Sequence, residues 1–165
     1  MQDREGMQVA LRVAAEGLDA GELPIGAAVV VDGAVVATAY AQERGQRRLL
    51  VHAELLALDA ADHVLGSDRP RATLYTTLEP CLMCLAAAAT AMVPRIVFGL
   101  ASPGDGAAGL AAEWDSNRSA DLPHLRLPTV VGGIAADEAR ELFARFCAAR
   151  PDATDGLTAW ARALV

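Results

Sequence analysis

The stretch 79-EPCLMCLAAA-88 sets two cysteines three residues apart, directly behind a proline and at the head of an alanine-rich run. Residues at i and i+3 share one face of a helix. Proline suits the entry to a first helical turn, where its missing N–H costs nothing. The run before it, 72-ATLYTTL-78, has the β-branched and aromatic content of a strand. A strand that feeds such a helix presents both sulfurs at one end of a sheet. A Cys-x-x-Cys pair so placed has three readings: a disulfide, a thiol redox site, or half of a metal site. The chain holds only 3 cysteines, too few and too odd in number for a secreted disulfide framework, so a reducing cytoplasmic setting is expected. The pair alone leaves redox and metal chemistry open.

Outward from this point the elements alternate. Residues 2–20 carry Met7, Leu11, Ala14, Ala15 and Leu18 at helical spacing, with Gly21 as a stop. Two β-rich runs in 25-IGAAVVVDGAVVATAY-40 flank Asp32-Gly33, a two-residue hairpin signal. Residues 41–48 read as a polar loop, 52–66 as a helix ending at Gly66, 81–91 as a third helix and 95-RIVFGL-100 as a strand. The segment 101–128, rich in Gly, Ser and Pro, reads as a loop; a last strand is expected near 129–133 and helices over 136–150 and 152–165. This order predicts a layered α/β domain with one mixed sheet between helices.

At 165 residues the chain is expected to form a single domain, 1–165. That length buries roughly two-thirds of the unfolded surface, and an apolar fraction of 53% argues against disorder. The net charge of −7 and pI near 4.9 argue against a strong binder of phosphate backbones. No signal peptide and no membrane span are read from the sequence.

The choice between redox and metal comes from 51-VHAELLAL-58, where His52 and Glu54 stand at the start of a helix. His-x-Glu alone is weak. Joined to Pro80-Cys81-Leu82-Met83-Cys84, it completes the His-x-Glu…Pro-Cys-x-x-Cys pattern of zinc deaminases. Helix N-termini favour the thiolates that zinc needs. His52, Cys81 and Cys84 make three ligands, and a tetrahedral Zn²⁺ then keeps a fourth position for water, the mark of a catalytic site. Glu54 is placed to reach that water as a proton shuttle without binding the metal.

The chain resembles the cytidine/deoxycytidylate deaminase superfamily, closest to the branch of tRNA adenosine, guanine and cytosine deaminases. The likeness is carried by 24-PIGAAVV-30, 52-HAELLAL-58, 74-LYTTLEPCLMC-84, 96-IVFG-99, 106-GAAG-109 and 137-DEARELFARF-146. It implies a three-layer α-β-α sandwich with a mixed five-stranded sheet, one zinc per chain and a homodimer. It also implies His52, Cys81 and Cys84 as ligands, Glu54 as proton shuttle, and the Ala53 backbone N–H as a group holding the attacked centre. The family usually has an Asn eleven residues before the ligand His; here that position is Ala41, with the amide of Gln42 next to it. The loop 100-LASPGDG-106 lacks the positive charge usual in tRNA enzymes, and the C-terminal helix, strongly basic in those enzymes, here ends 147-CAARPDATDG-156. These departures point to a small aminated purine, pyrimidine or related heterocycle as substrate, free base or nucleoside, with adenosine in tRNA as the alternative partner. A non-catalytic zinc-fold protein is the alternative of another class, and the presence of Glu54 speaks against it.

Other residues are assigned more modest roles. Trp114 is a candidate to lid the pocket by stacking, against a plain packing role. His124 is a candidate contact at the pocket rim. Cys147 reads as apolar filler, His63 as surface, and Glu79 as a helix-start carboxylate.

Overall fold

The computed structural model describes residues 1–114, 122 and 124–165. Strand β1 (Gly26–Val31) is buried along its whole length, as an unbroken apolar run covered on both faces must be. Asp32 and Gly33 follow with φ of 48° and 87°, the two left-handed residues of a type I′ turn. β2 (Ala34–Tyr40) then returns antiparallel. β3 (Ala72–Leu78) joins the other edge of β1, also antiparallel, and β4 (Arg95–Leu100) and β5 (Thr129–Val131) add on in parallel. The order β2-β1-β3-β4-β5 gives the mixed five-stranded sheet expected.

The helices of the described residues are α1 (Asp3–Asp19), α2 (Glu43–Gln46), α3 (Ala53–Leu65), α4 (Leu82–Thr90), α5 (Ala108–Glu113), α6 (Ala136–Ala148) and α7 (Gly156–Arg162). α1 and α6 pack together, as do α3 and α4. Successive residues of a strand point to opposite faces. Tyr75 of β3 accordingly lies under Gly6 of α1, while Thr76 reaches Glu54 of α3. A Cβ on Gly26 would sit 2.3 Å from the Ala10 carbonyl oxygen, so only glycine lets the α1 backbone rest directly on β1. Phe143, Phe146, Leu74, Leu85 and Ile96 fill the fully buried interior. No helix among the described residues is long and apolar enough to cross a membrane.

Two stretches differ from the sequence expectation. Within the predicted loop 41–48 lies the short helix α2. Glu22, 6% exposed, accepts hydrogen bonds from the N–H groups of Arg44 (3.0 Å) and Gly45 (2.6 Å), satisfying donors that a helix start leaves free. Within the predicted loop 101–128 lies α5, where Glu79 accepts from the Ala108 N–H at 3.0 Å; residues 115–121 and 123 of that loop lie outside the described residues. In both cases the stabilising carboxylate comes from a distant part of the chain. α3 ends before Gly66, as read, and a 3-10 turn (Gly66–Arg71) follows. His63 is exposed, and Cys147 is partly buried against the edge of the core.

Position 41 is also placed differently. Ala41 is fully buried within the hydrophobic core, and its N–H donates to the Ile25 carbonyl at 2.9 Å. An amide side chain there must be buried as well. Ala41→Asn is therefore expected to destabilise the fold by about 1–3 kcal/mol, read as a lower urea midpoint at unchanged slope; an unaltered midpoint would refute this placement.

Candidate metal centre and active site

His52 and Cys81 are the N-cap residues of α3 and α4, both with extended backbone. The two helices thus begin side by side beyond the carboxyl end of β3. Cys84, one turn into α4, is fully buried. The His52 Nδ1 lies 3.5 Å from Cys84 Sγ and 3.8 Å from Cys81 Sγ, and the two sulfurs are 3.7 Å apart. Tetrahedral zinc with bonds of about 2.3 Å to sulfur and about 2.05 Å to nitrogen requires edges of about 3.8 Å between sulfurs and about 3.6 Å from nitrogen to sulfur. The donor triangle matches those edges, and among the described residues these three form the group able to hold a metal ion.

The charges in this triangle are coupled. The hydrogen bond with Cys84, then burial opposing it, then the bond with His52 act on the Cys81 thiol, which ends at a pKa of about 4. His52 is raised to about 9, first by its hydrogen bond with Cys81. Cys84 is raised, first by its bond with Cys81 and then by burial. Without metal the site is a thiolate–imidazolium pair beside a neutral thiol.

Glu54, only 3% exposed, stands next to the donors. Its Oε1 accepts from the Thr76 hydroxyl at 3.0 Å, and its Oε2 lies 3.6 Å from Cys84 Sγ. Burial is the main cause that pushes its pKa above the ordinary carboxylate range. A carboxyl group so held is suited to take up and return a proton.

A cavity of about 210 Å³ opens over these groups. Leu23, Ile25 and Leu78 contribute apolar wall; His52, Ala53, Glu54 and Cys81 come from the two helix starts. Glu43, Glu79, Asp105, Leu157 and Trp160 complete it, and no Lys or Arg lines it among the described residues. Glu79 is fully engaged, accepting from the N–H groups of Ser102 and Ala108 at 3.0 Å each, so it fastens the wall rather than merely capping a helix. Glu43 is different. Its side chain is 9% exposed, its Oε1 is 3.7 Å from His52 Nε2, and its buried Oε2 has no hydrogen-bond partner among the described residues.

Of the residues proposed from sequence, the structure brings His52, Ala53, Glu54, Cys81 and Cys84 together. It does not bring Gln42, Trp114 or His124 to the cavity wall. Gln42 is the N-cap of α2, and its amide oxygen accepts from Gln46 Nε2. Trp114 is half-buried at the end of α5, and His124 is exposed. The aromatic wall is supplied by Trp160 of α7 instead. Sequence reasoning also passed over Glu43 and Thr76. The alternation of β3 implies that Thr76 shares a face with Leu74 and Leu78, a signal that was available; no local pattern marks Glu43.

Comparisons with known proteins agree with this geometry. Residues 1–100 match the family described as the cytidine and deoxycytidylate deaminase zinc-binding region. The tRNA-specific adenosine deaminase of Bacillus subtilis (strain 168) is 36% identical over 159 residues, covering 93% of this chain and 99% of that protein. Among solved structures, one from work on A-to-I editing by tRNA:A34 deaminases superimposes with a TM-score of 0.69 at 34% identity, covering 84% of this chain and 98% of that one. The guanine deaminase of Nitrosomonas europaea gives a TM-score of 0.68 at 26% identity, covering 87% and 83%. The chain therefore belongs to the cytidine and deoxycytidylate deaminase family, whose members are zinc-dependent hydrolytic enzymes.

Proposed function

We propose that this chain hydrolytically removes the exocyclic amine of a purine-like ring and releases ammonia. The observation that carries the proposal is the placement of the buried Glu54 against a nitrogen–sulfur–sulfur donor set with zinc geometry. Zinc held by His52, Cys81 and Cys84 would supply the Lewis acidity that activates water. Thr76 fixes one oxygen of Glu54 and leaves the other beside Cys84. From there Glu54 accepts the proton of the attacking water and delivers it to the departing amine. Ala53 lines the cavity at the start of α3, where backbone N–H groups are free to steady developing negative charge. Trp160 offers a flat face for the ring.

Adenosine in tRNA is the substrate that the relatives support, ahead of the free heterocycle that charge and composition suggested, because the similarity extends over nearly the full length of the Bacillus subtilis tRNA enzyme. The free base or nucleoside stands as the second reading, favoured by one observation: Glu43, Glu54, Glu79 and Asp105 surround the cavity with no Lys or Arg among the described residues. Such a lining offers no guanidinium or ammonium group to a phosphate close to the ring. A single assay separates the two. Wild-type protein is expected to form inosine in a tRNA anticodon stem-loop, while Glu54→Gln retains zinc and loses at least about 10²-fold in rate. Ammonia released only from free guanine, adenine, cytosine or their nucleosides would establish the second reading. A wild-type-like Glu54→Gln would overturn the role of Glu54.

A homodimer is the assembly proposed. Leu49, Leu50 and Leu82 are 82%, 64% and 59% exposed, and a groove between α3 and α4 is lined by Leu50, Leu55, Leu56, Ala87 and Ala91, with Arg48, Asp59 and Asp62 also along it. Apolar residues with charges of both signs suit a face that meets its own copy. Sedimentation equilibrium is expected to give twice the chain mass, and Leu50→Glu to shift it to the monomer.

Zinc uptake should depend steeply on pH. Between about pH 5 and 8 the metal-free site keeps protons on His52 and Cys84, whose pKa values are raised, and none on Cys81, whose pKa is lowered. Binding must then expel about two protons, so affinity should rise by about two log units per pH unit across that window and fall as pH drops. Chelator competition at several pH values measures the slope; a flat profile would contradict the coupled charges described.

A further inference from the structure

Five carboxylates lie in or around the site, and four have evident employment, among them Asp105, which accepts from the Ser102 hydroxyl. Glu22 accepts two backbone N–H groups of α2, Glu79 accepts those of Ser102 and Ala108, and Glu54 is met by Thr76 and Cys84. Among the described residues, Glu43 alone has a buried side-chain oxygen, Oε2, without a hydrogen-bond partner. A carboxylate is costly to bury unless a charge or a donor offsets it. The group nearest to hand is His52, whose Nε2 lies 3.7 Å from Glu43 Oε1 and makes no hydrogen bond among the described residues.

The orientation of the imidazole gives that contact its meaning. Nδ1 faces the two sulfurs, so a His52 that binds metal through Nδ1 carries its proton on Nε2. That N–H needs an acceptor, and ligating histidines generally give theirs to a carboxylate, a carbonyl or water. Glu43 stands on that side, at the first position of α2. The turn is held in place by Glu22, which binds the two residues after Glu43, and by the Gln42 N–H donating to the Val51 carbonyl at 3.1 Å. Val51 directly precedes His52. The segment bearing the carboxylate and the segment bearing the ligand are therefore tied together by backbone.

We propose that Glu43 is the positioning residue of His52: it receives the Nε2–H, fixes the ring with Nδ1 toward Cys81 and Cys84, and strengthens the imidazole as a zinc ligand. This rests on the zinc-deaminase reading, but its test does not involve turnover. Zinc-loaded wild type, Glu43→Gln and Glu43→Ala are compared for release of zinc to a colorimetric chelator. Glu43→Ala is expected to hold zinc at least about 10-fold more weakly, with Glu43→Gln, which keeps an acceptor, in between. In ¹⁵N-histidine NMR spectra of the zinc-loaded protein, the Nε2 proton of His52 should be visible in wild type and lost to solvent exchange in Glu43→Ala. Equal zinc retention in wild type and Glu43→Ala, with unchanged His52 signals, would overturn the proposal and leave the deaminase reading untouched. Should Glu43→Ala fail to fold, Glu43→Gln carries the comparison: zinc retention and His52 signals both identical to wild type would count against the role, weakened retention for it.

Discussion

His52 Nδ1 and Cys84 Sγ stand 3.5 Å apart although 32 residues separate them in the chain. That contact forces α3 and α4 to begin side by side, and most of the architecture serves it. The crossing from α3 back through β3 into α4 must return the chain to the same end of the sheet. The parallel pairing of β3 with β4 then carries α4 away along the face that α3 already covers. On the opposite face α1 rests against β1 at Gly26. The sheet is thereby clamped between helices, and neither helix start can drift from the other without disturbing the core. A metal site with this short donor triangle depends on such rigidity, because bond lengths to zinc tolerate only small displacement.

The same rigidity has an electrostatic cost. The site gathers three cavity carboxylates that are mostly buried or engaged with backbone, plus Glu22 behind them. Each must be offset or stay protonated. Glu22 and Glu79 are offset by backbone N–H groups, and in doing so they create the structure around the cavity, ordering α2 and the start of α5. Burial leaves Glu54 and Glu43 with raised pKa values. For Glu54 the raised pKa is useful, since a carboxyl that holds a proton more readily than an ordinary one is better placed to take it from water and return it. Structure and chemistry here draw on one residue type in two environments.

Much of this was legible in the sequence, and the reason it was legible is local. The type I′ turn at Asp32-Gly33, the strand 72–78 and the strand 95–100 depend on their own residues, and the structure keeps those bounds. The donor set was legible because spacing within two short motifs fixes it. What escaped depends on contacts across the chain. α2 is held by a carboxylate about twenty residues before it, and α5 by one nearly thirty before it. Ala41 looked like a loop position because its neighbours are polar; it is core because its N–H reaches back to Ile25. Trp160 and Glu43 became part of the site only when α7 and α2 were folded over the helix starts.

The placement of α7 bears on which ring can enter. A seven-residue helix has little stability of its own, so its position must come from its attachments. Asp155 caps its first turn through the Thr158 N–H at 2.9 Å, and Trp160 meets Phe143 edge-to-face with centroids 6.0 Å apart. Arg162 gathers the carbonyls of Arg150, Pro151 and Ala153 at 2.8, 3.0 and 2.8 Å. These contacts hold Leu157 and Trp160 over the cavity from one side, while Arg44 of α2 lies 3.5 Å from Asp155 on the other. The wall that carries Glu43 and the wall that carries Trp160 are thus joined by an ion pair at the rim. A pair this accessible to solvent contributes little to stability, so each wall is held mainly by its own attachments, Glu22 for α2 and the cap, ring and carbonyl contacts for α7.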